Sequence, residues 1–128
     1  MNEKVNIEKV NLAKKFDLFN DYWHPRILGE LNGQYVKIAK FKDEFVWHKH
    51  DHEDELFLVI KGTLLIDFRQ NSVELNAGEM IIVPKGVEHR PHTLPGEEVH
   101  VMLFEPKNIL NTGDQSASDF TKENLEKI

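Results

Sequence analysis

The stretch Val46-Trp47-His48-Lys49-His50-Asp51-His52-Glu53-Asp54-Glu55-Leu56-Phe57-Leu58-Val59-Ile60-Lys61-Gly62 decides how the rest of the chain is read. If 46–50 is a strand, its side chains alternate, so His48 and His50 project to one side while Trp47 and Lys49 point away. Two imidazoles so placed suit one metal ion. Glu55 stands an odd number of residues from His50, so the chain must turn between them, and Asp51-His52-Glu53-Asp54 is polar enough to be that turn. On this reading His52 is an exposed neighbour of the site and Asp51, Glu53 and Asp54 are solvated. Glu55 then opens the apolar run 56–60, which has the length of a buried strand. A carboxylate buried there without a partner is costly, and a metal ion would relieve that cost.

A second segment answers the first. Gly78-Glu79-Met80-Ile81-Ile82-Val83-Pro84-Lys85-Gly86-Val87-Glu88-His89 reads as turn, buried strand, tight turn and histidine. Proline fixes φ in the turn and Gly86 can supply φ > 0, so His89 is held at a set distance from the strand. Together the segments resemble the two signature motifs of the cupin superfamily. The first is His48-x-His50, four residues, Glu55, six residues, Gly62; the second is Gly78, five residues, Pro84-x-Gly86, two residues, His89. The gap of 15 residues between Gly62 and Gly78 is similar to the short spacing of small bacterial cupins of the sugar-phosphate-isomerase-like type. Lys42 stands where the family often has glycine, and Thr93 where it often has asparagine; both positions concern turns or supporting contacts and leave the four ligand positions intact. The resemblance implies a double-stranded β-helix, the cupin-type jelly-roll barrel. It also implies one divalent transition metal (Mn, Fe, Ni, Co or Zn) on His48, His50, Glu55 and His89.

The flanking sequence agrees with an all-β fold. Period-two runs predict strands at 34–41, 44–50, 55–61, 63–69, 72–75, 80–84 and 98–105, separated by turn formers such as Lys61-Gly62, Asn76-Ala77-Gly78 and Pro95-Gly96. No 10–15-residue helical crossover separates any two of them, so an antiparallel sandwich or barrel is expected. Asn11 as N-cap and Leu12, Phe16 and Phe19 predict a short helix near 11–19. A second short helix is expected from Thr121, with Phe120 and Leu125 as a hydrophobic staple. The expected organisation is a helical or extended segment 1–33 packed on the barrel, the barrel 34–106, and a polar tail 107–128.

Composition bounds the function. The 128 residues carry 16 basic and 22 acidic side chains, a net charge of -6, with seven histidines and no cysteine. No basic stretch exceeds Lys14-Lys15, which argues against nucleic acid as a partner. Without cysteine there is no disulfide frame, thiolate zinc site or cysteine nucleophile. No apolar run approaches the ~20 residues of a membrane span, nor does the start read as a signal peptide, so a soluble cytoplasmic protein is expected.

Three imidazoles and one carboxylate fit any of the metals named. Four protein ligands in an octahedral shell leave two positions for water or substrate, which suits a sugar, hydroxy-ketone or keto acid. Isomerase, lyase or dioxygenase chemistry is the expected activity, and a non-catalytic small-molecule (sugar) binding module is the alternative. Acid–base candidates are His92 and His100, and pocket candidates are Tyr35, Lys37, Met102 and Phe104, the last two on the assumption that the His100 face of 98–105 lines the cavity. Phe45 and Trp47, pointing away from His48, would form a patch needing cover, and a homodimer is expected.

Overall fold

Alternating sequence becomes two facing sheets in the computed structural model, which describes residues 7–107, 110–115, 120–122 and 124–128. The elements are α1 (Leu12–Phe16), β1 (Arg26–Leu31), β2 (Gln34–Lys42), β3 (Glu55–Lys61), β4 (Thr63–Asp67), β5 (Ser72–Asn76), β6 (Met80–Val83), β7 (Arg90–His92) and β8 (Glu98–Pro106). Five strands form one antiparallel sheet in the order β1-β2-β8-β3-β6, and three form the other as β5-β4-β7. This is the jelly-roll architecture. Among the described residues, no helix is long and apolar enough to cross a membrane.

The core lies between the sheets. Ala39 and Phe41 from β2, Phe57 and Val59 from β3, Leu64 and Ile66 from β4, and Val99, Val101 and Leu103 from β8 are buried there with Trp23 and Phe45. The outer face of the larger sheet is covered from the amino-terminal side. Asn11 caps α1 by accepting a hydrogen bond from the Lys14 amide, and Phe16 and Phe19 pack with Ile38 and Met102. Lys40 Nζ donates to the Phe19 carbonyl at 2.7 Å, which fastens this segment to β2. Between β3 and β4 the chain reverses at Gly62 with φ +91°, where a Cβ would press to 3.1 Å against both the Glu98 carbonyl oxygen and Val99. Only glycine fits both the torsion and the space.

Four local expectations are corrected. The sheet starts earlier than Gln34: despite Pro25 and Gly29, residues 26–31 form the edge strand β1, with a register shift between Ile27 and Gly29. The expected strand 44–50 makes only isolated bridges, Glu44 to His92 and His48 to His89. Its pairing slips by one residue between Phe45–Pro91 and His48–His89, and Pro91 has no N–H to return the bond from Phe45. Phe45 consequently turns inward and stacks on Trp23, while Trp47 lies under the Arg69 guanidinium, so the two form no common exposed patch. No late helix forms among the described residues after Phe120. The Ile128 amide instead donates to Ile27 and the Ile27 amide to Glu126, a parallel bridge beside β1, and the Thr121 hydroxyl bonds within the tail.

Candidate metal centre

Two short pieces of backbone hold three imidazoles together. The His48 amide donates to the His89 carbonyl at 3.0 Å and the His89 amide returns the bond at 2.9 Å, while the Gly86 amide donates to the His50 carbonyl. The turn Pro84-Lys85-Gly86 therefore sits against the His48–His50 segment and delivers His89. Glu55 enters from the start of β3. His48, His50, Glu55 and His89 are all buried, and one ligand atom from each lies within 4.8 Å of the others.

The ring orientations fit a cation. Nδ1 of His48 donates to the Val46 carbonyl at 2.9 Å and Nδ1 of His89 to the Val87 carbonyl at 3.0 Å, which leaves each Nε2 free to turn inward. Nε2 of His50 and of His89 stand 3.2 and 3.4 Å from Glu55 Oε1, and none of these three buried atoms has a hydrogen-bond partner. Buried polar atoms left unpaired cost free energy, so this inward-facing set fits a divalent ion that would satisfy all of them.

The cluster is electrostatically primed. Burial and the neighbouring His89 push the His48 imidazole down to about 4, against the pull of Glu55. Burial also lowers His50, but the close, negatively charged Glu55 carboxylate outweighs it and lifts His50 above its ordinary value. Burial alone would raise Glu55; contacts with His50 and His89 hold it well below the usual carboxylate range. The site is thus built around an ionised carboxylate and a neutral imidazole, the forms that ligate.

A carboxyl absent from the sequence reading stands beside it. Glu105 lies one residue past the Leu56–Phe104 pair, at the Glu55 end of β3, and contacts the Glu55 carboxylate, while Lys37 Nζ donates to Glu105 Oε1 at 2.8 Å. Lys37 and Glu105 are each only 2% exposed. The signal for Glu105 was a charge on the face of 98–105 otherwise held by Val99, Val101 and Leu103.

That face, not the one carrying His100, is the inner one, so the expected placement of three residues is corrected. His100 stacks on Phe16 at 4.3 Å and bonds Glu98, Met102 packs under the amino-terminal segment, and Phe104 lies on the outer face opposite Val36 and Leu56. His92 is on the outer face of the smaller sheet, bonded to Asp67 at 2.9 Å. Tyr35 shares a row with Glu105, and Lys37 reaches the interior as its ion-pair partner. His52 is exposed, as are Asp51 and Asp54, and Glu53 is half-buried.

Two spaces flank the cluster. The inner one, about 20 Å³, is lined by Trp23, Phe45, Phe57, Leu103 and other apolar side chains with His48, Glu55, Glu105 and Asn111. That is room for roughly one water molecule. The outer one, about 220 Å³, is a groove between Lys49, His50, Asp51, His52 and Glu53 on one side and Leu110, Gly113 and Asp114 on the other. The tail is latched here: Asp114 accepts from the Lys49 amide at 2.9 Å and its own amide donates to the Lys49 carbonyl at 3.0 Å. Gly113, at φ +54°, packs so closely that a Cβ would collide with the Lys49 carbonyl and stand 3.2 Å from His48 Cδ2.

Comparison with known proteins places this architecture. The Bacillus subtilis (strain 168) uncharacterized protein YdbB is 42% identical over 64 residues, covering 49% of this chain and 57% of its own. A Caenorhabditis briggsae protein described as probable inactive acireductone dioxygenase 2 is 29% identical over 75 residues, 55% of this chain and 47% of that protein. The matched stretch thus spans about half the length of both curated relatives. The crystal structure of a cupin-2 domain containing protein from Shewanella frigidimarina NCIMB 400 superposes with a TM-score of 0.74 at 47% identity, covering 77% of this chain and 94% of that one. The Cupin_2 family (cupin domain) matches residues 34–105, the block that carries β2 to β8 and all four residues of the cluster, and the chain belongs to that family.

Proposed function

We propose that this cupin is a small metalloenzyme acting on a neutral oxygenated metabolite, a sugar or hydroxy-ketone, by isomerase, lyase or dioxygenase chemistry. The observation that carries the reading is the buried convergence of His48, His50, Glu55 and His89, with the inward atoms of His50, Glu55 and His89 unpaired. A bound divalent ion would supply Lewis-acid polarisation of a carbonyl or vicinal hydroxyl oxygen. The protein's own groups set the rest. His48 and His89, fixed by their backbone hydrogen bonds, hold the ligand geometry, and the apolar wall of Trp23, Phe45 and Phe57 limits water at the inner side.

The charge of the approaches narrows the substrate. The outer groove carries Asp51, Glu53 and Asp114 against a single lysine, Lys49, which pairs with Asp51 at 3.4 Å. Lys37, the cation of the interior, is committed to Glu105. No free guanidinium or ammonium among these residues offers a phosphate its usual partner, which favours neutral ligands over sugar phosphates.

The alternative, a module that binds a sugar without transforming it, is favoured by the largely apolar inner wall. The Glu105 carboxyl on that wall favours the enzyme. Elemental analysis of the native protein, followed by sugar-isomer and oxygen-consumption screens on the metal-loaded chain, tests the proposal. Metal uptake with turnover supports it; ligand binding without turnover leaves the binding module, and an absence of bound metal refutes both metal readings. The same proposal includes a cytoplasmic homodimer, supported for pairing by the exposed Met80 and Ile82 on edge strand β6. A monomer in light scattering at micromolar concentration would remove the dimer.

A further inference from the structure

The inner face of the larger sheet is apolar except at one place. Ala39, Phe41, Val99, Val101 and Leu103 alternate with outward residues as a core requires, but Lys37 and Glu105 continue the same rows. On β8, Glu105 pairs with Tyr35 of β2 and follows Phe104, the partner of Leu56, so it lies at the end of β3 where Glu55 stands. Two buried carboxyls side by side are unfavourable, and a buried ion pair is commonly no more stabilising than apolar side chains of similar volume. The barrel therefore gains little stability from Lys37 and Glu105. Glu55, in contrast, gains a fixed flank: it presents Oε1 to His50 and His89, and Glu105, itself pinned by Lys37 at 2.8 Å, stands against its carboxyl group. Glu105 Oε2 is buried and has no hydrogen-bond partner.

We propose that Lys37 and Glu105 are positioning residues for the Glu55 ligand, fixing the direction in which its carboxylate meets the metal and so setting metal affinity. The inference rests on the metal reading of the four-residue cluster. Partners that orient a ligating carboxylate are worth about 10- to 100-fold in metal affinity.

The test uses Co²⁺ alone as probe, on the wild-type chain, on His89→Ala, and on the double variant Lys37→Met with Glu105→Leu, which removes both charges at similar volume. Three quantities are read: melting temperature without metal, Co²⁺ affinity by chelator competition, and the visible absorption of bound Co²⁺. The expected result is a double variant that melts at or above the wild-type temperature without metal, binds Co²⁺ about 10- to 100-fold more weakly, and shows an altered spectrum. A merely structural pair would move the melting temperature and leave the spectrum of bound Co²⁺ unchanged. Wild-type affinity and spectrum in the double variant overturn the proposal, provided that His89→Ala has lost binding. A wild-type chain that takes up no Co²⁺ overturns the metal reading instead, and this proposal falls with it. Should the double variant fail to fold, Glu105→Gln keeps the side chain's shape and a partner for Lys37, and the same affinity and spectrum decide.

Discussion

His48 joins the chemistry of the site to the stability of the chain. Its Nδ1–H is fixed on the Val46 carbonyl, its ring is 2% exposed, and burial beside His89 brings it down to about 4. In the unfolded chain the same imidazole titrates near 6.5. Below that pH the unfolded state therefore binds the extra proton and the folded state resists it, so the metal-free protein loses stability as pH falls from about 6.5 to about 4. The displacement corresponds to a loss of about 3 kcal/mol from this residue. His50 acts with opposite sign: raised by Glu55, it adds stability as pH falls through its own range and offsets part of the loss. Thermal denaturation in the presence of chelator between pH 7 and 4 should show a declining limb that flattens in His48→Gln. An unchanged limb in that variant would assign the decline to other groups.

At the scale of elements, local pattern and long-range pairing part company. The run 55–61 matches β3 residue for residue because its alternation is uninterrupted and Gly62 ends it. β1 escaped because Pro25 and Gly29 read as breaks, yet Pro25 stands just before the strand and Gly29 falls at the register shift after Ile27, an irregularity that an edge strand tolerates. β7 escaped because three residues carry no period; what makes Arg90–His92 a strand is Asp67 on β4. Asp67 accepts from Ser72 Oγ at 2.6 Å, Arg90 Nη2 at 2.8 Å and His92 Nε2 at 2.9 Å, tying β5, β4 and β7 on their outer face. Partial burial raises its carboxyl, but these hydrogen bonds outweigh burial and hold it at about 2. A carboxylate so lowered contributes stability above about 3.8 that is lost as pH falls towards 2. Asp67→Asn should accordingly melt at a lower temperature than the parent at neutral pH, and the two curves should converge near pH 2. Curves that remain parallel down to pH 2 would show that Asp67 does not tie the sheet. The tail is held by shape as well as by Asp114. Gly113→Ala should release it from the Lys49 carbonyl and raise hydrogen exchange at the Lys49 amide several-fold, with little change in melting temperature; protection equal to wild type would mean the alanine is accommodated.

For the whole molecule, the four cluster residues were legible because each motif is local: His48, His50 and Glu55 fall within eight residues, and the turn 84–86 delivers His89. Glu105 was not, and Lys37, expected in the pocket, was not foreseen as its partner, since their meeting at 68 residues' separation depends on the β2–β8 register, and the choice of inner face on β8 depends on what covers the outer one. Folding thus spends much of its topology on bringing unpaired polar atoms together in a dry interior, and that cost is the basis of the last prediction. An ion that binds the folded chain and not the unfolded one adds about 2.7 kcal/mol at a hundredfold excess over its dissociation constant. For a domain of this size that raises the melting temperature by about 10 °C. Loading the apo protein with Co²⁺ or Zn²⁺ should produce that rise and chelator should reverse it. His89→Ala should abolish it while lowering metal content, because the Glu55 Oε1 contact at 3.4 Å and one of the three imidazole ligands disappear together. Because ligation requires neutral imidazoles, the rise should also fade as pH falls through the range of His50, the imidazole lifted above its ordinary value, in the wild type. Differential scanning calorimetry at pH 7.5 and 5.5, each with elemental analysis, checks all three statements. A His89→Ala protein that keeps both its metal stoichiometry and the thermal rise would remove His89 from the ligand set, and with it the four-residue centre.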